Sequence, residues 1–108
     1  VTMRSGYGIR ASLDRAAAQA QVQLQVAFEV NLMGTVLALV EQGLGVGVLP
    51  QSVLHFAQPQ GLNVRSLVKP AITRQISIVT RRDQLPSVPV RAFAQQLQQY
   101  LNGMRWNY

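Results

Sequence analysis

An α/β fold is what this sequence predicts, and three observations predict it. Stretches with apolar residues three and four apart alternate along the chain with shorter apolar runs, some of period two. Glycine- and proline-bearing turns separate them, at about 5–8, 43–50, 58–61, 69–71 and 81–86. Apolar residues make up 48% of the chain, enough for a packed core and far from a disordered composition. Such alternation places a sheet between layers of helix. There is no internal repeat.

Taken in order, Val1 to Arg4 reads as the end of a strand. Ser5-Gly-Tyr-Gly8 is a tight turn whose glycines can take positive φ. From about Ile9 to Ala20 the pattern is helical: Ile9, Leu13, Ala16, Ala17 and Ala20 share a face, with Arg10, Asp14 and Gln21 opposite. Leu24, Val26, Phe28 and Val30 alternate with Gln25, Ala27 and Glu29, the pattern of a half-buried strand. Asn31 is placed to cap a helix over about 32–42 with Leu32, Val36, Leu39 and Val40 as its apolar stripe.

The run from Glu41 to Pro50 is the clearest feature of the chain, with Gly43, Gly45 and Gly47 in close succession. Gly43 suits a left-handed helix end, and the other two permit close approach of neighbouring chain. Val46 to Leu49 reads as a short buried strand that Pro50 stops. Because a helix precedes these glycines and a strand follows, the run is the reverse of a dinucleotide-binding fingerprint and is assigned to packing. A short helix over about 50–57 follows, then strands at about 62–68 and 74–80. Ser87 can cap a last helix, with Val90, Phe93, Ala94, Leu97, Tyr100 and Leu101 on one face and Gly103 at its end.

The net charge is +6, but the ten basic residues are scattered: Arg4, Arg10, Arg15, Arg65, Lys69, Arg74, Arg81, Arg82, Arg91 and Arg105. Only Arg81 and Arg82 adjoin, and no aromatic residues interleave with them, so a solvated basic surface is the ordinary reading. A small basic nucleic-acid-binding module is the alternative. No run approaches the roughly 18 apolar residues of a membrane span, so no membrane partner is expected. The absence of cysteine excludes disulfides and thiolate metal sites and fits a cytoplasmic location. The chain opens Val1-Thr-Met-Arg4, with nothing like a signal peptide and no initiator methionine, and is expected to be a piece of a larger protein.

Catalytic chemistry finds no support. His55 is the single histidine, and the acids are Asp14, Glu29, Glu41 and Asp83, with no metal-ligand spacing among them. There is no G-x-S-x-G elbow and no phosphate-binding loop, so the chain is expected to be no enzyme and to hold no metal or cofactor. A binding function is left. In α/β folds ligands sit where loops and helix N-termini meet at strand ends. Two such places are visible, Ser5-Gly-Tyr-Gly8 and Asn31 through Thr35, and free helical N–H groups there suit a small anion or carboxylate.

Together these stretches resemble the C-terminal effector-binding domain of LysR-type transcriptional regulators. The resemblance is carried by Arg4-Ser-Gly-Tyr-Gly-Ile-Arg10 with Leu13-Asp14, by Glu29-Val-Asn31 with Met33-Gly-Thr-Val36, and by Leu39-Val40 with Gly43 to Pro50. Arg74 to Val79 and Pro89 to Leu101 extend it. It implies a periplasmic-binding-protein-like fold of type 2, a three-layer sheet with helices on both faces, in which two lobes hold a small-molecule effector between them. Residues 1–73 would be the second lobe, and 74–108 the crossover strand and helix returning to a first lobe outside this chain. By position, Ser5, Gly6 and Tyr7 would line the effector site from one loop, and Asn31, Met33 and Thr35 from a helix start. The helix 9–20 and strand 24–30 would form a homodimer or tetramer surface, and DNA would be bound by an N-terminal domain outside the chain. A solute-binding protein of the same fold is the remaining alternative.

Overall fold

The computed structural model describes residues 1–104, so Arg105 lies outside the described residues. The chain divides into two compact units, one spanning Val1–Ile72 and the other beginning at Thr73.

The first unit is built on a β–α–β crossover. Strand β1 (Thr2–Met3) leads into helix α1 (Gly8–Gln19), and strand β2 (Glu29–Val30) returns parallel to β1. Thr2 pairs with Glu29 and Met3 with Val30; Thr2 N donates to Phe28 O and Arg4 N to Val30 O, both at 3.0 Å. The helical connection is what a parallel pair requires. Helix α2 (Met33–Glu41) follows β2 directly, and helix α3 (Gln51–Ala57) begins after Pro50.

The core is small and lies where α1 and α2 meet the sheet. Met3, Ile9 and Val36 are buried, with Val1, Val30, Met33 and Leu49 packed against them. Ile9, Leu13, Ala16 and Ala17 are all at least half-buried and form the packing face of α1, whereas Ala20, read on the same stripe, is the exposed C-cap. In α2, Val36 is buried and Leu39 and Val40 are half-buried, as the stripe requires. Leu32 instead stands outside the helix, largely exposed.

Both helices end in the same way. Gly43 takes φ +75°, its N–H donating to Val40 O at 2.9 Å while Leu44 N donates to Leu39 O at 3.0 Å. That double bond closes α2 as a Schellman motif with glycine in the left-handed position. At the end of α1, Gln21 occupies this position with φ +55°, and Val22 N reaches Ala17 O at 2.9 Å. Gly47 serves close approach: a Cβ there would meet Val36 Cγ1 at 2.8 Å and Val40 Cγ2 at 2.9 Å.

Several expected elements differ. Of the strand expected over 24–30, only Glu29–Val30 joins a ladder, and 46–49, 62–68 and 74–80 form no strand among the described residues. Alternation sets which face of a segment is apolar, but a strand also needs a neighbour, and here β1 pairs only over two residues. The 46–49 segment keeps one tie to the sheet edge, from Val1 N to Val46 O at 2.8 Å. Asn31 does not cap α2; the N-cap is Leu32, with no side-chain cap bond, and Thr35 N and Val36 N both donate to its carbonyl. The described residues thus form a two-stranded sheet rather than the three-layer sheet expected.

The second unit carries helix α4 (Val88–Gly103), with Ser87 at its N-cap making no side-chain cap bond and proline in its first turn. Gly103 is its last helical residue rather than a residue beyond it. Within this unit Ile76, Val79, Leu85 and Phe93 are exposed.

Candidate functional site

At the carboxyl ends of β1 and β2 the chain leaves an open depression of about 340 Å³, lined by Arg4, Ser5, Tyr7, Glu29 and Asn31. The local sequence explains its shape. Arg4 to Tyr7 is a β-turn, closed by Tyr7 N donating to Arg4 O at 3.4 Å, with Gly6 at φ +95°. Glycine at the third position with positive φ is the type II arrangement. The turn places Ser5 and Tyr7 beside the sheet end and delivers the chain into α1. On the neighbouring strand, Glu29 and Asn31 flank Val30, whose side chain turns to the core.

Two helices start at this edge, and neither has a side-chain cap: Tyr7 is the N-cap of α1 and Leu32 that of α2. Neither helix has an acidic residue in its first turn. Uncapped first-turn N–H groups and the positive end of each helix dipole favour a negative group placed between them.

Arg10 organises the charge beneath the depression. From the first turns of α1 it donates through Nε to both Asp14 oxygens, at 2.9 and 3.1 Å. Through Nη1 it reaches Met3 O at 3.1 Å and Glu29 Oε1. One guanidinium therefore ties α1 to the last residue of β1 and the first residue of β2. Its side chain is 14% exposed, and the bonds to Glu29 and then Asp14 raise its pKa above the ordinary arginine value. It is a fixed cation at every accessible pH.

Of the residues expected at the site, the structure brings Ser5, Tyr7 and Asn31 together, with Gly6 shaping the turn between the first two. Met33 and Thr35 do not line the depression. Met33 packs on the core cluster, while Thr35 is exposed on the first turn of α2. Helical geometry explains this: positions 33, 35 and 36 point in different directions, and Val36 takes the core. Arg4 and Glu29 are lining residues that site reasoning from the sequence passes over. The one local signal near them is the four-residue spacing of Arg10 and Asp14; Arg4 and Glu29 themselves meet through the pairing of β1 with β2. Among the described residues there is no group of three acidic or histidine side chains able to hold a metal ion.

A second, shallower groove lies between α1 and the 22–26 segment, lined by Arg10, Asp14, Ala17, Ala18, Val22, Gln23, Leu24 and Val26. It overlaps the surface expected for self-association, and Val22 and Val26 are exposed along it.

Comparison with known proteins gives a consistent picture. The family model of the LysR substrate binding domain matches residues 1–102. A "probable nitrogen assimilation transcriptional activator" of Synechococcus elongatus is 29% identical over 96 residues, which are 88% of this chain and 31% of that protein. The "uncharacterized HTH-type transcriptional regulator YbhD" of Escherichia coli is 31% identical over 93 residues, 86% of this chain and 29% of the relative. A Bacillus subtilis regulator of the same description, YwbI, is 28% identical over 76 residues, 70% of this chain and 25% of its own. The chain thus spans less than a third of the length of each of these relatives. No solved structure matches it.

Proposed function

This chain belongs to the LysR substrate binding domain family, and from that premise we propose that it is the effector-sensing part of a LysR-type transcriptional regulator. Membership implies a periplasmic-binding-protein-like α/β fold. In our reading β1 and β2 belong to a larger three-layer sheet of the whole protein, with residues 1–73 in one lobe and 74–108 returning to the other. The effector is a small carboxylate or similar anion held against Ser5, Gly6, Tyr7 and Asn31. Met33 and Thr35 contribute at one remove, through the seating of α2 and the polarity of its first turn.

The observation that carries this reading is the convergence of Ser5, Tyr7 and Asn31 between two uncapped helix starts, at the carboxyl ends of parallel strands. Effector binding would favour one arrangement of the lobes and so the shape of a dimer or tetramer, assembled through the helix 9–20 and the 24–30 segment, on DNA held by a separate domain. A ligand can do so only if its affinity differs between the two arrangements. The protein is then a cytoplasmic regulator rather than an enzyme. No helix among the described residues is long and apolar enough to cross a membrane. A solute-binding protein of the same fold and a free-standing basic nucleic-acid module are the other readings; no contact in the structure favours either, and the matched relatives are described as transcriptional regulators or activators.

The test uses the full-length regulator carrying Ser5→Ala, Asn31→Ala or Thr35→Val, titrated with a panel of small carboxylates and read by calorimetry and promoter response. Loss of one hydrogen bond of about 0.5–1.5 kcal/mol weakens binding roughly two- to tenfold. Ser5→Ala and Asn31→Ala are expected to show that loss, and Thr35→Val little change. Unchanged affinity and unchanged promoter response in the first two would remove the depression from the effector site.

A further inference from the structure

The depression holds two opposite charges that do not pair with each other. Arg4 and Glu29 both line it, yet the ion pairs among the described residues join Arg10 to Asp14, Arg10 to Glu29 and Arg81 to Asp83. The Arg4 guanidinium has no acidic partner there. Its backbone is fixed, since Arg4 N donates to Val30 O at 3.0 Å. Glu29 is held from the other side: Arg10 Nη1 takes Oε1 and the Met3 carbonyl together, while Asp14 anchors the same guanidinium through Nε. Arg10 therefore holds the Glu29 carboxylate toward α1. Its second oxygen, Oε2, makes no hydrogen bond among the described residues, and Glu29 lines the depression. Asn31, with one amide oxygen and one amide nitrogen, stands on the same rim and can serve either sign.

From these placements we propose that the ligand is zwitterionic, an amino carboxylate whose carboxylate meets Arg4 and the helix starts while its ammonium meets Glu29 Oε2. This deepens the carboxylate reading above and rests on it. A plain anion would satisfy Arg4 and the two helix starts but would sit beside an acid it cannot use. An ammonium in the same molecule turns that repulsion into a charge-assisted hydrogen bond. Specificity of this kind comes from a group that penalises the wrong ligand as much as from one that attracts the right one. Glu29 would do both, with Arg10 as the residue that positions it.

The experiment titrates the full-length regulator by calorimetry with each of the common L-α-amino acids, with the matching carboxylate lacking the amino group, and with the matching amine lacking the carboxylate. At least one amino acid is expected to bind, and both of its truncated partners about tenfold or more weaker. In that background Glu29→Gln, which keeps an oxygen for Arg10, is expected to bring the amino acid and its deaminated carboxylate to within about threefold of each other. Arg4→Met is expected to weaken both. The ligand arms with the unaltered protein stand even if a variant misfolds. Equal affinity for an amino acid and its deaminated partner would overturn the zwitterion and leave the carboxylate reading in place. So would binding of plain carboxylates with no amino acid bound. Binding of none of the three classes would overturn both.

Discussion

Replacing Gly47 with alanine tests how closely the glycine run lies on α2. A Cβ at this position would stand 2.8 Å from Val36 Cγ1 and 2.9 Å from Val40 Cγ2. Carbon pairs are most stable at about 3.5–4.0 Å, so both contacts are too short by over half an ångström. Neither valine can yield easily. Val36 is 0% exposed in the core cluster, and valine in a helix is largely confined to one χ1 rotamer. Overpacking of this kind costs about 1–3 kcal/mol. Against it stands the loss of unfolded-chain freedom when glycine becomes alanine, about 0.4–1 kcal/mol in favour of the folded state. The Gly47 backbone is outside the left-handed region, so no conformational penalty adds to the clash. The net expectation is destabilisation of about 0.5–2 kcal/mol. Gly34 gives the control of opposite sign: it lies within α2, and a Cβ there meets nothing within 4 Å. Gly34→Ala is expected to stabilise by about 0.5–1 kcal/mol. Urea unfolding followed by circular dichroism measures both. Two variants shifted in the same, stabilising direction would mean that residues 46–48 do not press on α2.

Gln21→Gly is expected to stabilise the chain by about 0.5–1 kcal/mol, because a left-handed non-glycine residue costs about 1–2 kcal/mol and part of that is returned as unfolded-state freedom; a lower urea midpoint would show that the Gln21 side chain makes a contact worth more than the strain. Asp83 sits in the 81–84 connector, where the Arg81 guanidinium, through Nε at 2.9 Å and through Nη2, holds its carboxyl below the usual carboxylate range. Since the folded value lies below the unfolded one, the pair favours the folded connector above the ordinary aspartate pKa, and that contribution is lost as pH falls through the depressed value. An NMR titration of the Asp83 carboxyl should show a low midpoint that moves up in Arg81→Gln; a midpoint at the ordinary value in the unaltered protein would mean that solvent has dissolved the pair.

Helices were legible in this sequence and strands largely were not, for a physical reason. A helix satisfies its backbone within itself, so the 3.6-residue spacing of Ile9, Leu13 and Ala16 or of Val36, Leu39 and Val40 is nearly sufficient evidence. Gly43 and Pro50 mark their boundaries by local conformational rules that need no distant partner. A strand is completed by a neighbour. The alternation from Leu24 to Val30 is as regular as any in the chain, yet only its last two residues are paired. Val79 is 88% exposed in a segment with a strand-like composition. The candidate site divides in the same way. The turn at Ser5 to Tyr7 and the position of Asn31 follow from local chemistry. The places of Arg4 and Glu29 on one rim depend on the parallel register of β1 and β2, and a single sequence does not state a register.

The glycine run and the depression are coupled through one buried side chain. Val36 lies close against the backbone at Gly47 and shares the buried cluster with Met3 and Ile9. Met3 is the last residue of β1; its carbonyl accepts from Arg10, and the residue after it opens the turn that carries Ser5 and Tyr7. The start of α2, reached from Asn31 through Leu32, is positioned by the same Val36 contact. A clash introduced at Gly47 should therefore move the Asn31 rim relative to the Ser5 rim, although no glycine of the run lines the depression. In the reading proposed above, packing beneath the depression, rather than contact within it, is what ties that run to effector binding.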